Sequence, residues 1–520
     1  MAIGDEHVPV TGNQTDRWRR APGALLAVLT VAVLAGCAAP AEQGTPSSSA
    51  STTATTSLNV FEQQRADGVQ RTLDDLSGAL SAGDADRVDG LIDPAATPEF
   101  RARLRAAAVN LSGSVVSAES PRPTAPRPST APLSSPPTTG RVPNSSAPPR
   151  SQPSGSSPTV VTVAPRGTAL RLKDFRYEVA PTTEAEVLVP ADLQQRLDAQ
   201  GSSDSWVAPI ELRYALGGAS TPGVDEPDVV VGMQLVMARY GDDWTVVGDG
   251  AAIGGDAAPT QLWDLPGLGA SDVQTSGGTS VIASYPGTAE VVARVRELAP
   301  GSVEAVTAFW GEDWPRRAVV VATARPGEFR TLTRSAGTDV AAAAAATVYS
   351  RVDTDDGVAV GQRVVLTPGA ARLSNAALGV VLRHELTHVA ARVDTAAGAP
   401  LWITEGVPEY VGRNGTYTRF ADAAPDLAAA VDVGDLPADL PADRDFAVDS
   451  DGARRAYQSA WSVAAYVADR YGEDRLRELY IGVAATDDTA QQDEAIVDVL
   501  GVSRTEFVAG WRRWLSTQVR

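Results

Sequence analysis

Cysteine, histidine and lysine are scarce in this chain of 520 residues, which has 1 cysteine, 3 histidines and a single lysine at position 173. Without a second cysteine the sequence cannot form an internal disulfide, so packing and any bound group must stabilise its fold. The 44 Lys+Arg and 64 Asp+Glu give a net charge of −20, and no segment carries a basic stripe. Because phosphate binding requires clustered cations, this composition argues against nucleic acid as a partner.

The cysteine ends an N-terminal targeting pattern. Basic residues at 17, 19 and 20 precede a short apolar run, 21–35, which closes in Leu34-Ala35-Gly36-Cys37. This pattern resembles a bacterial lipoprotein signal. The resemblance implies that Cys37 is lipidated and holds the protein on the extracytoplasmic face of the bacterial cell membrane. The apolar run is shorter than the roughly 20 residues of a spanning helix, and a retained membrane anchor is the alternative.

Composition and pattern divide the chain into segments of different kinds. Two stretches rich in Ser, Thr and Pro cannot bury enough apolar surface to fold, and periodic hydrophobic patterns predict globular units around them. The predicted organisation is a signal peptide over 1–37, a disordered tether over 38–57, an accessory domain over 58–253 with a Pro/Ser/Thr-rich insertion at 119–159, a linker over 254–271 and a second domain over 272–520.

The accessory domain is predicted to have an α+β fold. Helical spacing over 59–111 precedes strand patterns, the last of which form a hairpin at Tyr240-Gly241-Asp242-Asp243-Trp244. This order resembles the nuclear-transport-factor-like fold, and the resemblance implies a curved antiparallel sheet around a pocket. Its aromatic residues are interpreted as core, since no histidine or paired carboxylate there requires chemistry. The second domain is predicted to be a mixed sheet followed by helices.

Two of the three histidines stand in His384-Glu385-Leu386-Thr387-His388, within an apolar stretch predicted as a helix over about 373–393. Positions i and i+4 share a helix face, so both rings can reach one ion, with Glu385 placed to polarise a metal-bound water. The spacing predicts a zinc site. The alternatives are two histidines packed in a core, which would bury unpaired polar groups, and a metal-free relic of an enzyme.

A catalytic zinc site has three protein ligands and one open position, so one ligand remains to be found. The third histidine, His7, lies before the predicted cleavage site, which leaves a carboxylate. Glu405 is the best candidate, because it is predicted to begin a second helix. Glu409 follows one turn later and is placed to accept the free ring N–H of a histidine ligand.

The segments His384-Glu385-x-x-His388 and Trp402-x-x-Glu405-Gly406-x-x-x-Tyr410 resemble the two-helix zinc core of the gluzincin metallopeptidases, the thermolysin-like MA clan. The resemblance implies that His384, His388 and Glu405 hold Zn²⁺ and that Glu385 is the general base. It also implies that Tyr457 helps to hold the oxyanion and that a strand over 363–366 pairs with an extended peptide. No Gly-x-Met-Glu-Asn segment for a substrate's free amine occurs, which favours an endopeptidase.

The leading hypothesis is therefore a membrane-anchored, extracytoplasmic zinc endopeptidase acting on a peptide or protein. The alternatives are a non-catalytic envelope lipoprotein, with a structural zinc or a partner-binding role, and zinc hydrolysis of a non-peptide envelope bond. Two other features have simpler interpretations. The acidic run 353–357 lacks the glutamate that ends a calcium loop, and the acidic stretch 432–451 is predicted as a solvated loop and a candidate rim of the cleft.

Overall fold

The fold is given by a computed structural model, which describes residues 60–112, 170, 172–181, 186–216, 228–334, 343–354, 356–447 and 452–518. The predicted signal peptide with Cys37, the tether and the insertion at 119–159 lie outside these residues. Among the described helices, none combines the length and the apolar composition that crossing a membrane requires.

The first part of the described chain consists of helices and an antiparallel sheet. Its helices are α1 (Val60–Ala82), α2 (Ala85–Leu91), α3 (Pro98–Leu111) and α4 (Ala191–Ala199). Its strands pair in the order β1 (Lys173–Val179), β2 (Asp204–Ala215), β3 (Val229–Tyr240) and β4 (Asp243–Asp249), all antiparallel. Helices and sheets in this arrangement confirm the predicted α+β class, whereas the nuclear-transport-factor-like resemblance stays a prediction.

Helix α1 packs on this sheet through one apolar stripe. Val69, Leu73, Leu76 and Leu80 recur every three or four residues and are all buried, as the helical period requires. Helix α3 begins where the Thr97 hydroxyl accepts a hydrogen bond from the Phe100 N–H, which satisfies one unpaired donor of the first turn.

The second part contains a five-stranded mixed sheet with the order β5-β6-β7-β11-β8. Strands β6, β7 and β11 run parallel, and the strands at both edges are antiparallel to their neighbours. A separate hairpin joins β9 to β10. The bounds of these strands are β5 (Gly269–Thr275), β6 (Gly278–Ser284), β7 (Val319–Ala322), β8 (Ala345–Val348), β9 (Arg351–Asp353), β10 (Val358–Val360) and β11 (Arg363–Leu366).

Eleven further helices of the described chain belong to this part. They are α5 (Ala289–Trp310), α6 (Pro326–Thr333), α7 (Asn375–Ala391), α8 (Leu401–Thr404), α9 (Gly406–Arg413), α10 (Phe420–Ala423), α11 (Pro425–Asp432), α12 (Ala453–Tyr471), α13 (Glu473–Ala484), α14 (Thr489–Leu500) and α15 (Arg504–Gln518). Helix α7 carries the two histidines and begins at Ser374, whose hydroxyl accepts from the Ala377 N–H.

The mixed sheet lies between two cores because successive strand residues point to opposite faces. On one face, Ile282, Val320 and Val364 pack with helices α5 and α7. On the other face, alternate residues such as Val321 and Val365 join the core of the first sheet. Strand β11 lies where the sequence predicts it.

The segment 254–271, predicted as a linker, contributes to the second of these cores. Trp263 is 1% exposed, and its ring lies edge-on to Phe175 and Tyr214, with centroid separations of 5.6 and 4.9 Å. The backbone carbonyl of Leu262 accepts a hydrogen bond from the Tyr285 hydroxyl at 2.7 Å. This segment therefore packs against both sheets.

The predicted pairing of strand 363–366 with a peptide is wrong in its choice of strand. Strand β11 has β7 on one side and β8 on the other, so both of its edges are hydrogen-bonded within the sheet. The edge strand on this side is β8, which pairs only with β11 among the described strands. Six consecutive alanines over 341–346 hide this strand in the sequence, because alanine favours helices.

The predicted start of a second helix at Glu405 is confirmed to within one residue, because Glu405 is the N-cap of α9. A short helix, α8, precedes it, so the helical path begins at Leu401 and is interrupted at Glu405. Pro408 explains the interruption, because it has no N–H to donate to the Thr404 carbonyl and its ring crowds that carbonyl. Glu405 therefore lies at a break between two helices.

Candidate metal centre

Helix α7 carries both histidines, and it packs against α9. Their Nε2 atoms lie 3.1 Å apart, and the side chains of His384 and His388 are 1% and 10% exposed. The neighbouring Leu378, Val381 and Leu382 belong to the core between the mixed sheet and the helices. Packing of that apolar side fixes the rotation of α7 and directs the two rings to one point.

Glu405 completes a group of three. Its Oε2 lies 3.4 Å from His384 Nε2 and 3.8 Å from His388 Nε2. In a tetrahedral zinc site with bonds of 2.0–2.2 Å, ligand atoms are separated by about 3.3 Å. The three separations of 3.1, 3.4 and 3.8 Å match that spacing closely, so one ion can contact all three atoms. Among the described residues this is the group that could hold a metal ion.

Two glycines bring Glu405 and its helix this close. A Cβ at position 412 would lie 2.9 Å from the Val380 carbonyl oxygen and 3.4 Å from His384 Cβ. A Cβ at position 406 would lie 2.6 Å from the Ala460 carbonyl oxygen. Helix α9 therefore packs against α7 on one side and α12 on the other with backbone contacts that only glycine permits. This close approach to α12 explains why glycine follows Glu405 in the sequence.

Glu409 lies on the opposite side of the His384 ring. Its Oε1 is 3.7 Å from His384 Nδ1, and its Oε2 accepts a hydrogen bond from Arg413 Nε at 2.5 Å. Arg413 also donates to the backbone carbonyl of Ala423. His384 is thus flanked by Glu405 at Nε2 and by Glu409 at Nδ1, and α9 supplies or adjoins both carboxylates.

Glu385 is fully buried and is held by strand β8. The Thr347 hydroxyl donates to Glu385 Oε2 at 2.7 Å and lies 3.1 Å from the Glu385 backbone carbonyl oxygen. The other carboxylate oxygen, Oε1, has no hydrogen-bond partner among the described residues, and the same is true of Glu405 Oε2. Unpaired buried carboxylate oxygens are costly, and a bound cation would relieve that cost.

Burial controls the ionisation of these groups. It lowers the pKa of His384 to about 3, with help from the charge of Arg413, and it lowers the pKa of His388 well below its usual range. Both rings are therefore neutral near pH 7, the form that binds metal. Burial raises the pKa of Glu385 to about 8, against the hydrogen bond from Thr347. Burial also raises the pKa of Glu405 well above its usual range, and the charges of Glu385 and Glu409 add to this effect.

Tyr457 lies on α12 and is buried. Its ring packs edge-on against Phe446, with centroids 5.1 Å apart. Burial raises the pKa of the Tyr457 hydroxyl well above its usual range, and the charges of Glu405, Glu409 and Glu385 raise it further. The structure therefore places Tyr457 within electrostatic range of the predicted site. Phe446 belongs to the stretch 432–451, of which 448–451 lie outside the described residues.

A cavity of about 780 Å³ lies beside α8 and α12, and its lining includes Trp402, Asp439 and Arg504. None of the residues that surround the histidines lines this cavity. The histidine cluster therefore lies outside this cavity.

Sequence reasoning did not find two residues that contact this group. Arg413 follows Glu409 by four residues, so the helical spacing of an acid and a base was a usable signal. Thr347 precedes Glu385 by 38 residues on a different element, and no local pattern connects them.

No known family model matches this chain, and no curated protein is significantly similar to it. Solved structures with partial similarity include M1 zinc metallopeptidases. One is a two-domain mutant enzyme bound to L-arginine, with 14% identity over 48% of this chain and 52% of that chain, and a TM-score of 0.29. Another is the M1 zinc metallopeptidase from Deinococcus radiodurans, with 12% identity over 61% of this chain and 62% of that chain, and a TM-score of 0.30.

A mutant of the Deinococcus radiodurans enzyme bound to a Tyr-Ser-Ala substrate gives 11% identity, the same two coverages and the same TM-score of 0.30. The match spans about half to three fifths of the length of these proteins. These similarities are too weak to assign a function, so the candidate metal centre is interpreted from its own geometry.

Proposed function

We propose that this protein is a zinc-dependent peptidase whose metal is held by His384, His388 and Glu405. The observation that carries the proposal is the spacing of the three ligand atoms, 3.1 to 3.8 Å, together with the unpaired Oε2 of Glu405. Two neutral imidazoles and one carboxylate form a donor set that zinc binds in hydrolases, and they leave a fourth position open.

The chemistry of the proposed reaction is amide hydrolysis. A bound zinc ion would supply Lewis acidity toward the scissile carbonyl and lower the pKa of a water molecule. Glu385 takes the proton of that water on Oε1 and passes it to the leaving amine, as a general base and then a general acid. Tyr457 stays protonated at neutral pH and donates its O–H to the oxyanion.

The substrate class follows from the sheet edge beside Glu385. Strand β8 has one edge paired with β11, and an extended peptide added to its other edge would run past Glu385. The protein would bind an extended peptide and has no Gly-x-Met-Glu-Asn segment to bind a free amino terminus, so the proposed activity is that of an endopeptidase. Lipidation at Cys37 would hold this activity at the extracytoplasmic face of the membrane.

The burial of the centre favours a second candidate, a structural zinc in a non-catalytic envelope lipoprotein. Structural zinc sites are closed by four protein ligands, whereas the group here has three among the described residues. The number of ligands therefore favours the hydrolase.

Metal analysis joined to an unbiased peptide-library digest tests the proposal. We expect about one zinc per chain, cleavage within extended peptides, and loss of cleavage with a chelator that returns when zinc is restored. Stoichiometric zinc without any cleavage would support the structural candidate, and a chelator-insensitive protein without zinc would contradict both.

A further inference from the structure

We infer that Thr347 is a positioning residue for Glu385: its hydroxyl fixes one carboxylate oxygen so that the other is directed at the reacting water. The inference rests on the proposed function, because it assigns Glu385 the role of general base. The hydrogen bonds of the Thr347 side chain go to Glu385 and to none of the three metal ligands, so we expect it to act through Glu385.

The contact is short and buried. Thr347 is the one polar residue in β8, between alanine and valine, and both Thr347 and Glu385 are buried. The hydroxyl has a single proton, and Oε2 at 2.7 Å is the nearer of its two acceptors on Glu385. A polar side chain in an otherwise apolar strand is costly unless it is hydrogen-bonded, and here its partner is the glutamate carboxylate.

This hydrogen bond distinguishes the two carboxylate oxygens. The terminal torsion of a glutamate is broad and roughly two-fold, so an unrestrained carboxylate presents either oxygen. With Oε2 held by Thr347, the unpaired Oε1 is the oxygen left to accept a proton. Displacement of a catalytic group by about 1 Å can lower a rate by roughly a hundredfold, so fixing this torsion matters to the rate.

Thr347 lies on an edge strand, so the hydrogen bond that orients Glu385 comes from the strand that would also bind the substrate. Its register partner on the inner side is Val364 of β11, and the outer side of β8 carries no strand among those described. A peptide paired on the outer side would be held by the same short strand that orients Glu385. The register of the peptide and the direction of the base would then depend on one element.

The experiment compares three single variants of the full chain, loaded with zinc, on one peptide substrate. Thr347→Val removes the hydroxyl at nearly constant shape, and Thr347→Ser keeps it. Thr323→Val is the matched control, because Thr323 is another buried threonine beside the same sheet, whose hydroxyl donates to the Leu366 carbonyl at 2.7 Å.

We expect Thr347→Val to lower kcat by about tenfold to a hundredfold while KM stays within about twofold. Zinc content should be unchanged, Thr347→Ser should restore most of kcat, and Thr323→Val should keep it. The inference is overturned by an unchanged kcat in Thr347→Val, by a change confined to KM, by loss of zinc, or by an equal loss in Thr323→Val.

A second readout needs no activity. In the metal-free protein, Thr347→Val should lower Tm by about 3 °C, because it removes the hydroxyl that donates to Oε2. The same substitution in a Glu385→Leu background should lower Tm less, since the acceptor is gone; an equal loss in both backgrounds contradicts the contact. The inference and the proposed function can fail separately. If wild type cleaves peptides and Glu385→Gln does not, the proposed function stands. If Thr347→Val then cleaves as wild type does, the inference about Thr347 fails.

Discussion

The two cores on opposite faces of the mixed sheet differ in how their buried charges are neutralised. In the core shared with the first sheet, Asp249 accepts hydrogen bonds from Arg103 at 2.7 Å and from the N–H groups of Ala251 and Ala258. In the core beneath α9, Glu405 Oε2 and Glu385 Oε1 have no hydrogen-bond partner among the described residues.

The difference separates buried charges that stabilise the fold from buried charges that are available to bind a ligand. The charge on Asp249 is satisfied by the protein itself, so its removal should change stability alone. The cluster around His384 is incomplete without a cation, because burial of several carboxylates is costly unless each is paired. Substitutions in the two regions should therefore have different effects on stability and on zinc affinity.

Among the substitutions that compare the two cores, the largest expected effect is on metal affinity. Glu405→Gln should weaken zinc binding by more than about a hundredfold, because a neutral amide replaces the charged ligand. Competition titration with a chromogenic chelator measures this affinity. Since burial raises the pKa of Glu405 and so disfavours its ionised form in the folded protein, unfolding of the metal-free variant should not occur at lower denaturant than in wild type. Zinc binding equal to that of wild type would show that Glu405 is not a ligand.

The matching change in the other core should alter stability and leave zinc alone. Asp249→Ala leaves Arg103 without its partner and should lower the free energy of unfolding by about 2–4 kcal/mol. Denaturant unfolding followed by tryptophan fluorescence gives this value, and the same chelator titration should give the wild-type zinc affinity. A weakened zinc site in Asp249→Ala would mean that the two cores are coupled.

Helix packing around the centre gives an intermediate effect. Gly412→Ala places a Cβ 2.9 Å from the Val380 carbonyl, pushes α9 away from α7, and should cost about 1–3 kcal/mol of stability. Zinc affinity should fall as well, since Glu405 moves with α9. The control is Gly301→Ala in helix α5, where an added Cβ meets nothing within 4 Å and should be neutral or stabilising. Similar behaviour of the two variants would remove the steric argument.

The smallest expected effect is a pH dependence in the segment 254–271. Burial raises the pKa of Asp264 to about 6, above its unfolded value of 3.8, so the folded state disfavours the ionised form. The stability associated with this group is present below about pH 4 and is lost as pH rises through 6.

Asp264→Asn should therefore match wild type near pH 4 and exceed it by about 1–2 kcal/mol at pH 7.5, since the carboxyl is only partly buried. Unfolding curves across this pH range measure the difference, and zinc affinity should not change. A constant difference between the two proteins at every pH would contradict the raised pKa.

The sequence predicted the parts of the centre that depend on local spacing. The i, i+4 separation of His384 and His388 determines that they share a helix face, and the scarcity of histidine left a carboxylate as the third ligand candidate. The structure brings Glu405 to these histidines, and whether the three bind zinc stays a prediction.

The parts that sequence reasoning missed depend on long-range packing. Strand β8 is hidden in an alanine run and becomes a strand through pairing with β11, which no local propensity reveals. The hydrogen bond from Thr347 to Glu385 exists only because this strand crosses α7. The short helix α8 before Glu405 was missed, although Pro408 gave a local signal for a break within a longer helix.

The central claim is tested most directly by comparing Glu385→Gln with wild type in one pair of measurements, zinc content and peptide cleavage. Glutamine keeps the shape of the side chain and can still accept the hydrogen bond from Thr347, but it cannot take a proton at neutral pH. We expect the variant to hold zinc as wild type does and to lose cleavage by about a thousandfold or more. Cleavage at the wild-type rate by the zinc-loaded variant would contradict the account.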